Sequence, residues 1–386
     1  MSHVHLSDFE MIRPPYELEQ EKGLEWIAKA HAKAEASIKN WEENSAIALE
    51  FYEDIKQRLF RLGMGPEKVQ KRGSQTEDFF HKEWEKMDIY NLNASPEGLS
   101  LKERTLFYEK AVDEVFERLY PEQTELPCHL IHVSCTGYVS PSGAQKIVAK
   151  RRCSAKTTVT HAYHMGCYAY LPALRTASGF LSSSYLSSSE VDIVHSELCS
   201  LHMNPSLHET SQLIVQSLFG DGFIKYRVSK KPNGNKPCLT LLSLHEELIP
   251  DSTKTMTWKC EHWGFRMELA KELPFLIREA CVPFLSTLIQ KAGLEDKKVK
   301  ENAFFAIHPG GPKIIQQIAE LLYLNEEQYQ HSKVVLRDYG NMSSATLPHV
   351  WQKLLNDSKI PNGAYIVTLA YGPGLCFSGA LFQKGS

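Results

Sequence analysis

The chain has 386 residues, 42% hydrophobic and 23% charged, with a formal net charge of −3. That balance excludes a disordered chain and a globally basic binder of nucleic acid or anionic lipid, and it supplies apolar mass for two domains or one multilayered unit. Nine cysteines, odd in number and without a CxxC spacing, give no disulfide framework and no metal cluster, which points to a reducing, cytoplasmic setting.

Residues 1–16 carry Asp8 and Glu10 and lack the apolar stretch of a signal peptide, and no run of about 18 apolar residues reads as a membrane span. Residues 4–12 read as a first strand, stopped by Pro14 and Pro15. Residues 19–41 place Leu24, Ile27, Ala28, His31, Ala34 and Ile38 along one helical face, and 46–62 form a second helix closed by Gly63 and Gly65. Arg58, Arg61, Lys68, Lys71 and Arg72 gather at that closure, a solvated basic helix end on charge pattern alone. A third helix covers 101–120. Strand 129–133, helix 144–150, strand 157–160, helix 168–180 and strand 191–195 then alternate as in an α/β fold. Residues 182–189, rich in serine, read as an exposed loop, and the strand after them holds the polar Asp192 and His195.

The centre of the chain is the stretch 160–175. A β-branched run passes through Gly166 to Cys167 and then into helix formers. Strand, tight turn and helix place Cys167 in a first helical turn, where free N–H groups and the helix dipole favour a thiolate. Pro172 fits near such a start. Taken alone, the cysteine reads as a small buried apolar residue.

The loop-like stretch 230–236 divides the chain into halves, 1–235 and 236–386. The second half resumes with strand 239–244, helix 269–292 and strand 304–307. His308 ends that last strand before Pro309-Gly310-Gly311-Pro312, and Pro312 opens a helix. A strand at 334–336 leads to the small-residue turn Gly340-Asn341-Met342-Ser343-Ser344, and strands 364–370 and 376–382 flank Gly372-Pro373-Gly374-Leu375. Singly, a histidine at a strand end is structural and an asparagine in a turn is a local cap.

Together they say more. Cys167, His308 and Asn341 each stand where an α/β element begins or ends, the place where open α/β folds build sites. A Cys–His pair yields an activated thiolate. An Asn amide beside an imidazole N–H polarises a carbonyl oxygen that becomes negative in reaction. Hydrolysis through Cys and His, or decarboxylative carbon–carbon bond formation on an acyl-Cys, uses such a set.

The segments His164-Met165-Gly166-Cys167-Tyr168-Ala169, Phe219-Gly220-Asp221-Gly222, Ile307-His308-Pro309-Gly310-Gly311-Pro312, Tyr339-Gly340-Asn341-Met342-Ser343-Ser344 and Gly372-Pro373-Gly374-Leu375 follow in order. In them the chain resembles the type III polyketide synthases, the chalcone synthase-like branch of the thiolase superfamily, in its bacterial form. The resemblance runs from about residue 10 to the C-terminus and is weakest over the first hundred residues. It implies a duplicated five-layered α-β-α-β-α fold in a cytoplasmic homodimer that uses acyl-CoA and malonyl-CoA without a cofactor or metal. Cys167 would carry the starter, and His308 and Asn341 would assist decarboxylation, His308 also keeping Cys167 ionised. Pyrone or resorcinol products would follow from cyclisation.

The same resemblance implies that Phe219 and Met267 guard the junction of CoA tunnel and active site, with Cys135, Cys199 and Ser343 lining it. Met267 departs from the family's usual phenylalanine, and a flexible thioether there favours an aliphatic starter. Arg58, Arg61 and Lys68, or Lys313 beside Gly310 and Gly311, would hold the CoA phosphates. A ketoacyl-carrier-protein synthase III-like enzyme shares the Cys-His-Asn set, but Pro309-Gly310-Gly311 stands where that family has a Gln-Ala-Asn type segment. A silent partner subunit is disfavoured because all three residues are present, and a cysteine hydrolase because nothing else in the chain matches one.

Overall fold

The structure, a computed structural model, describes residues 3–153, 156–184 and 189–385. The first half forms β1 (His5–Ile12), β2 (Tyr16–Glu19), α1 (Gln20–Lys39), α2 (Ala46–Leu62), β3 (Lys71–Ser74), α3 (Leu101–Leu119), β4 (His129–Ser134), α4 (Gly143–Lys150), β5 (Thr158–Tyr163), α5 (Tyr170–Ser182), β6 (Glu190–Glu197), α6 (Thr210–Leu218) and β7 (Gly222–Ser229). The second half forms β8 (Cys238–Leu248), β9 (Met256–Cys260), β10 (Phe265–Leu269), α7 (Leu273–Lys291), α8 (Asp296–Asn302), β11 (Phe304–Ile307), α9 (Pro312–Leu321), α10 (Glu326–Tyr339), α11 (Thr346–Asn356), β12 (Tyr365–Gly372) and β13 (Cys376–Gly385). Of the serine-rich stretch read as a loop, residues 185–188 lie outside the described residues.

Nine strands form one sheet in the order β11-β12-β13-β8-β1-β7-β6-β4-β5. Its centre is the antiparallel β1–β8 pair. Outward from there the two sides repeat each other. β7 and β6 on one side, and β13 and β12 on the other, are successive antiparallel neighbours, and each side then adds a parallel strand, β4 or β11. The duplication is thus written in the strand pairing.

Side chains alternate across a strand, so a strand buried on both faces feeds two cores. In β4, Ile131 faces an inner core and Leu130 an outer one; in β12, Ile366 faces the inner core and Val367 a second outer one. The inner core holds α5 and α11, whose Leu171, Leu174, Leu347 and Val350 pack with strands of both halves. α1, α3 and α4 cover the outer face of the first half, and α7 and α9 that of the second. The two halves of this one sheet pack on the same inner helices, α5 and α11, so five layers result: helix, half-sheet, helix, half-sheet, helix.

Two readings are corrected. Residues 334–336, expected as a strand, lie inside α10. Three apolar residues fit either period, and the Asn325–Gln328 capping box that starts the helix decides it. The helix expected from 269 begins at Leu273, because Leu269 ends the β9–β10 hairpin, which has no counterpart in the sequence reading. α7 is also the one described helix long and apolar enough to cross a bilayer; it lies against β8 and β13, with Ile277, Phe284 and Leu288 buried.

Trp351 fills the inner layer, fully buried, with its Nε1 donating to Thr368 Oγ1 at 2.8 Å and its ring edge-on to Tyr170 and Phe382. Trp351→Ala is expected to cost about 3–5 kcal/mol, read as a lowered midpoint in urea denaturation.

Candidate active site

β5 ends at Tyr163, and the chain turns through His164 (φ 60°) and Gly166 (φ 71°) into a short 3-10 turn, Gly166–Tyr168, that continues as α5. Cys167 is buried in that turn. The turn is pressed against the end of β12: a Cβ on Gly166 would stand 2.5 Å from Pro373 Cδ, and one on Gly372 would stand 2.5 Å from the Tyr168 ring. His308, one residue past β11, donates its backbone N–H to Leu369 O of β12 at 2.8 Å and has its ring edge-on to Tyr371. Asn341 is clamped to the Phe219 turn by Asn341 N–H to Leu218 O and Gly220 N–H to Asn341 O, both 3.0 Å. Its Oδ1 accepts from Ser343 N at 2.9 Å and from Thr346 Oγ1 at 3.2 Å, which leaves the amide N–H groups to the Cys167 thiol.

Burial pushes the Cys167 thiol up to about 12, opposed by hydrogen bonds from Ser343 and Asn341. Burial likewise pushes His308 down to about 3. In the substrate-free protein both groups are therefore neutral at pH 7. Among the described residues neither ring nitrogen of His308 has a protein hydrogen-bond partner, so neither is committed to the scaffold.

Cys135, Cys199, Phe219, Met267 and Ser343 line one cavity with Gly166, the residue before Cys167. Its volume is about 50 Å³, room for a few waters. The narrowness has a cause that sequence reading missed. Trp258, the cross-strand partner of Met267 in the β9–β10 hairpin, fills part of the cavity, its Nε1 donating to Cys135 O at 2.6 Å. The hairpin carried no turn dipeptide to announce it.

Glu197 was also missed. Fully buried at the end of β6, it accepts from Cys135 N at 3.0 Å, from Thr136 Oγ1 at 2.8 Å and from Ser344 Oγ. A glutamate closing an apolar strand was the available signal. Burial raises its pKa above the ordinary carboxylate value, those hydrogen bonds opposing the rise. The two polar residues noted in that strand separate in role: Asp192 pairs with Arg227 at 2.8 Å, whereas His195 contacts Ser344 Oγ at 3.0 Å.

Gly310, Gly311, Lys313, Arg58, Arg61 and Lys68 do not line this cavity. Gly310 N–H donates to His308 O at 2.7 Å, shaping the turn beneath the histidine, and Gly311 caps α9. Lys313 and Arg61 are exposed, and Arg58 donates to His208 O at 2.6 Å. Lys68 lines a separate groove with Pro312, at the start of α9. Arg72, grouped by sequence with that basic helix end, is instead buried in the cavity wall and donates to Gln20 Oε1, Gln216 O and Phe219 O.

The duplicated thiolase-like architecture, with a buried Cys after β5, a buried His after β11 and a buried Asn between α10 and α11, defines the class of fold. Residues 240–384 match the family "Chalcone and stilbene synthases, C-terminal domain". The chain is 30% identical over 265 residues to Type III polyketide synthase B of Arabidopsis thaliana, a match covering 66% of this chain and 67% of that protein. It is 26% identical over 303 residues to Probable polyketide synthase 1 of Dictyostelium discoideum, covering 74% of this chain but 10% of that much longer protein. Among solved structures, the C-terminal type III polyketide synthase domain of Steely1, a Dictyostelium type I/III hybrid, superposes with a TM-score of 0.80 at 21% identity over the whole of both chains. The 1,3,6,8-tetrahydroxynaphthalene synthase of Streptomyces coelicolor does so with a TM-score of 0.76 at 21% identity, over 99% of each. The chain belongs to the type III polyketide synthase family.

Gly166→Ala combines a disfavoured left-handed φ with a clash against Pro373. It is expected to destabilise by at least about 1–2 kcal/mol and to reduce acyl loading of Cys167, read by denaturation and by intact mass.

Proposed function

We propose that the chain is itself a polyketide synthase that loads an acyl-CoA starter on Cys167 and extends it with malonyl-CoA. The observation that carries this reading is that Cys167 and His308 are both held against β12 and its end, while Asn341 is tied through Ser343 to the Cys167 thiol, beside a narrow cavity that Gly166 and Ser343 line. His308, kept neutral by burial, takes the thiol proton as the sulfur attacks the CoA thioester. Its N–H and the fixed Asn341 amide then face the malonyl thioester oxygen, where negative charge develops as carbon dioxide leaves. The enolate carbon attacks the acyl-Cys carbonyl, and the lengthened chain is released from sulfur.

A narrow cavity flanked by Trp258 and Met267 supports a short or flexible aliphatic starter, few extensions and a small pyrone, resorcinol or related product. Arg58, Arg61, Lys68 and Lys313 remain the proposed holders of the CoA phosphates. β5 is a sheet edge without a neighbour beyond it among the described strands, which supports a homodimer formed across it. No cofactor beyond the CoA thioesters and a cytoplasmic location complete the reading.

Two measurements test it. After incubation with a panel of acyl-CoAs, intact mass is expected to show an acyl adduct on wild type and none on Cys167→Ala, with cyclised products once malonyl-CoA is added. No adduct with any thioester would overturn the catalytic reading. Trp258→Ala is expected to shift the product distribution by at least one extension unit, and an unchanged distribution would remove Trp258 as the limit on chain length.

A further inference from the structure

Cys135 stands in the cavity with more of the apparatus of an activated nucleophile than its position on the wall requires. Its sulfur lies 3.4 Å from Glu197 Oε1 and 3.5 Å from Oε2. On the other side the sulfur is 2.8 Å from Ser343 Oγ, and the same oxygen is 3.8 Å from the Cys167 sulfur. One hydroxyl therefore bridges the two thiols.

The hydrogen positions around Glu197 follow from counting donors. With Glu197 ionised, Ser344 gives its only hydroxyl hydrogen to the carboxylate, so His195 Nδ1 donates to Ser344 Oγ and His195 Nε2 accepts from Tyr226 OH at 3.3 Å. The chain Tyr226, His195, Ser344 thus points every hydrogen toward the carboxylate. Cys135 N–H and the Thr136 hydroxyl add two more donors. Those donors hold the carboxylate in place and favour its ionised form, burial works the other way and keeps it basic, and the fourth group directed at it is the Cys135 S–H. Nucleophile, base and base-orienting groups are all within hydrogen-bond reach, which is the arrangement of covalent catalysis.

We propose that Cys135 is a second acyl-accepting nucleophile, taking the chain from Cys167 with Glu197 as its general base. This rests on the acyl-Cys167 of the proposed function. The Cys135 sulfur attacks the Cys167 thioester carbonyl while its proton passes to Glu197. The new Cys135 thioester forms as the Cys167 carbon–sulfur bond breaks, and Cys167 leaves as the thiolate, ready for another acyl-CoA. Charge balances: one carboxylate is consumed and one thiolate appears. His195, Ser344 and Tyr226 are positioning residues for the base.

The test is site-resolved. Wild type and Glu197→Gln are incubated with acetyl-, hexanoyl- or benzoyl-CoA, quenched in acid to preserve thioesters, digested with pepsin and mapped by mass. Acyl groups are expected on both Cys167 and Cys135 in wild type, with the Cys135-to-Cys167 ratio falling at least about tenfold in Glu197→Gln, as loss of a general base dictates. Acyl on Cys167 alone in wild type overturns the second nucleophile and leaves the synthase reading intact. Acyl on neither overturns the synthase reading and this inference with it. An unchanged ratio in Glu197→Gln overturns the role given to the carboxylate. Should that variant fail to fold, the wild-type map alone decides.

Discussion

The site depends on how closely two pieces of backbone approach. Cys167 is where it is because the turn before α5 sits against Gly372 and Pro373 at the end of β12, at a distance that leaves no room for a side chain on Gly166 or Gly372. β12 also carries the other half of the chemistry, since Leu369 O fixes the His308 backbone and Tyr371 OH donates to His308 O at 3.1 Å. The proposed nucleophile from the first half and the histidine from the second are therefore referenced to one strand. That strand is pinned between β11 and β13, in the middle of the second half's part of the sheet.

A stiff frame matters because the groups it holds are unfavourable as they stand. The buried thiol and the buried imidazole are both pushed toward their neutral forms by lost hydration, which the Ser343 and Asn341 hydrogen bonds to the thiol only partly oppose. A looser scaffold would relax around such groups, by admitting water or turning the ring. Here the cost is carried by three apolar cores and by the clamp between Asn341 and the Phe219 turn. On the proposed chemistry the groups so held would face a thioester oxygen, where charge develops during reaction.

Much of this was legible in the chain. Most strands and helices were found by period alone, because β4, β11 and β12 are short apolar runs bounded by glycine, proline or polar residues, and α1, α2 and α3 carry regular apolar stripes. Cys167, His308 and Asn341 were visible because each follows a strand or precedes a helix in a small-residue turn. What was hidden shares a cause. The β9–β10 hairpin is stabilised by its place over the cavity and has no strong turn signal, so neither it nor Trp258 could be placed. Glu197 and Arg72 looked like ordinary charges, and only the tertiary structure shows that both are buried. Charge pattern assigns a residue to solvent by default, and it fails where backbone and side-chain hydrogen-bonding groups distant in sequence converge on the charge.

On the proposed chemistry, the buried carboxylate would also order events within the cavity. Glu197 is among the causes that raise the Cys167 thiol, so an ionised Glu197 and an ionised Cys167 disfavour each other. Acylation removes the conflict, because a thioester carries no charge. If the proton of Cys135 then moves to Glu197, the carboxylate is neutralised at the moment when Cys167 must depart as an anion. The same negative charge that opposes thiolate formation at rest is thus withdrawn when a thiolate is the leaving group. Coupling of this kind needs two sulfurs, one hydroxyl between them and one carboxylate beyond. It also needs a cavity narrow enough that bulk water does not screen the charges, which is the condition that Trp258 and Met267 impose.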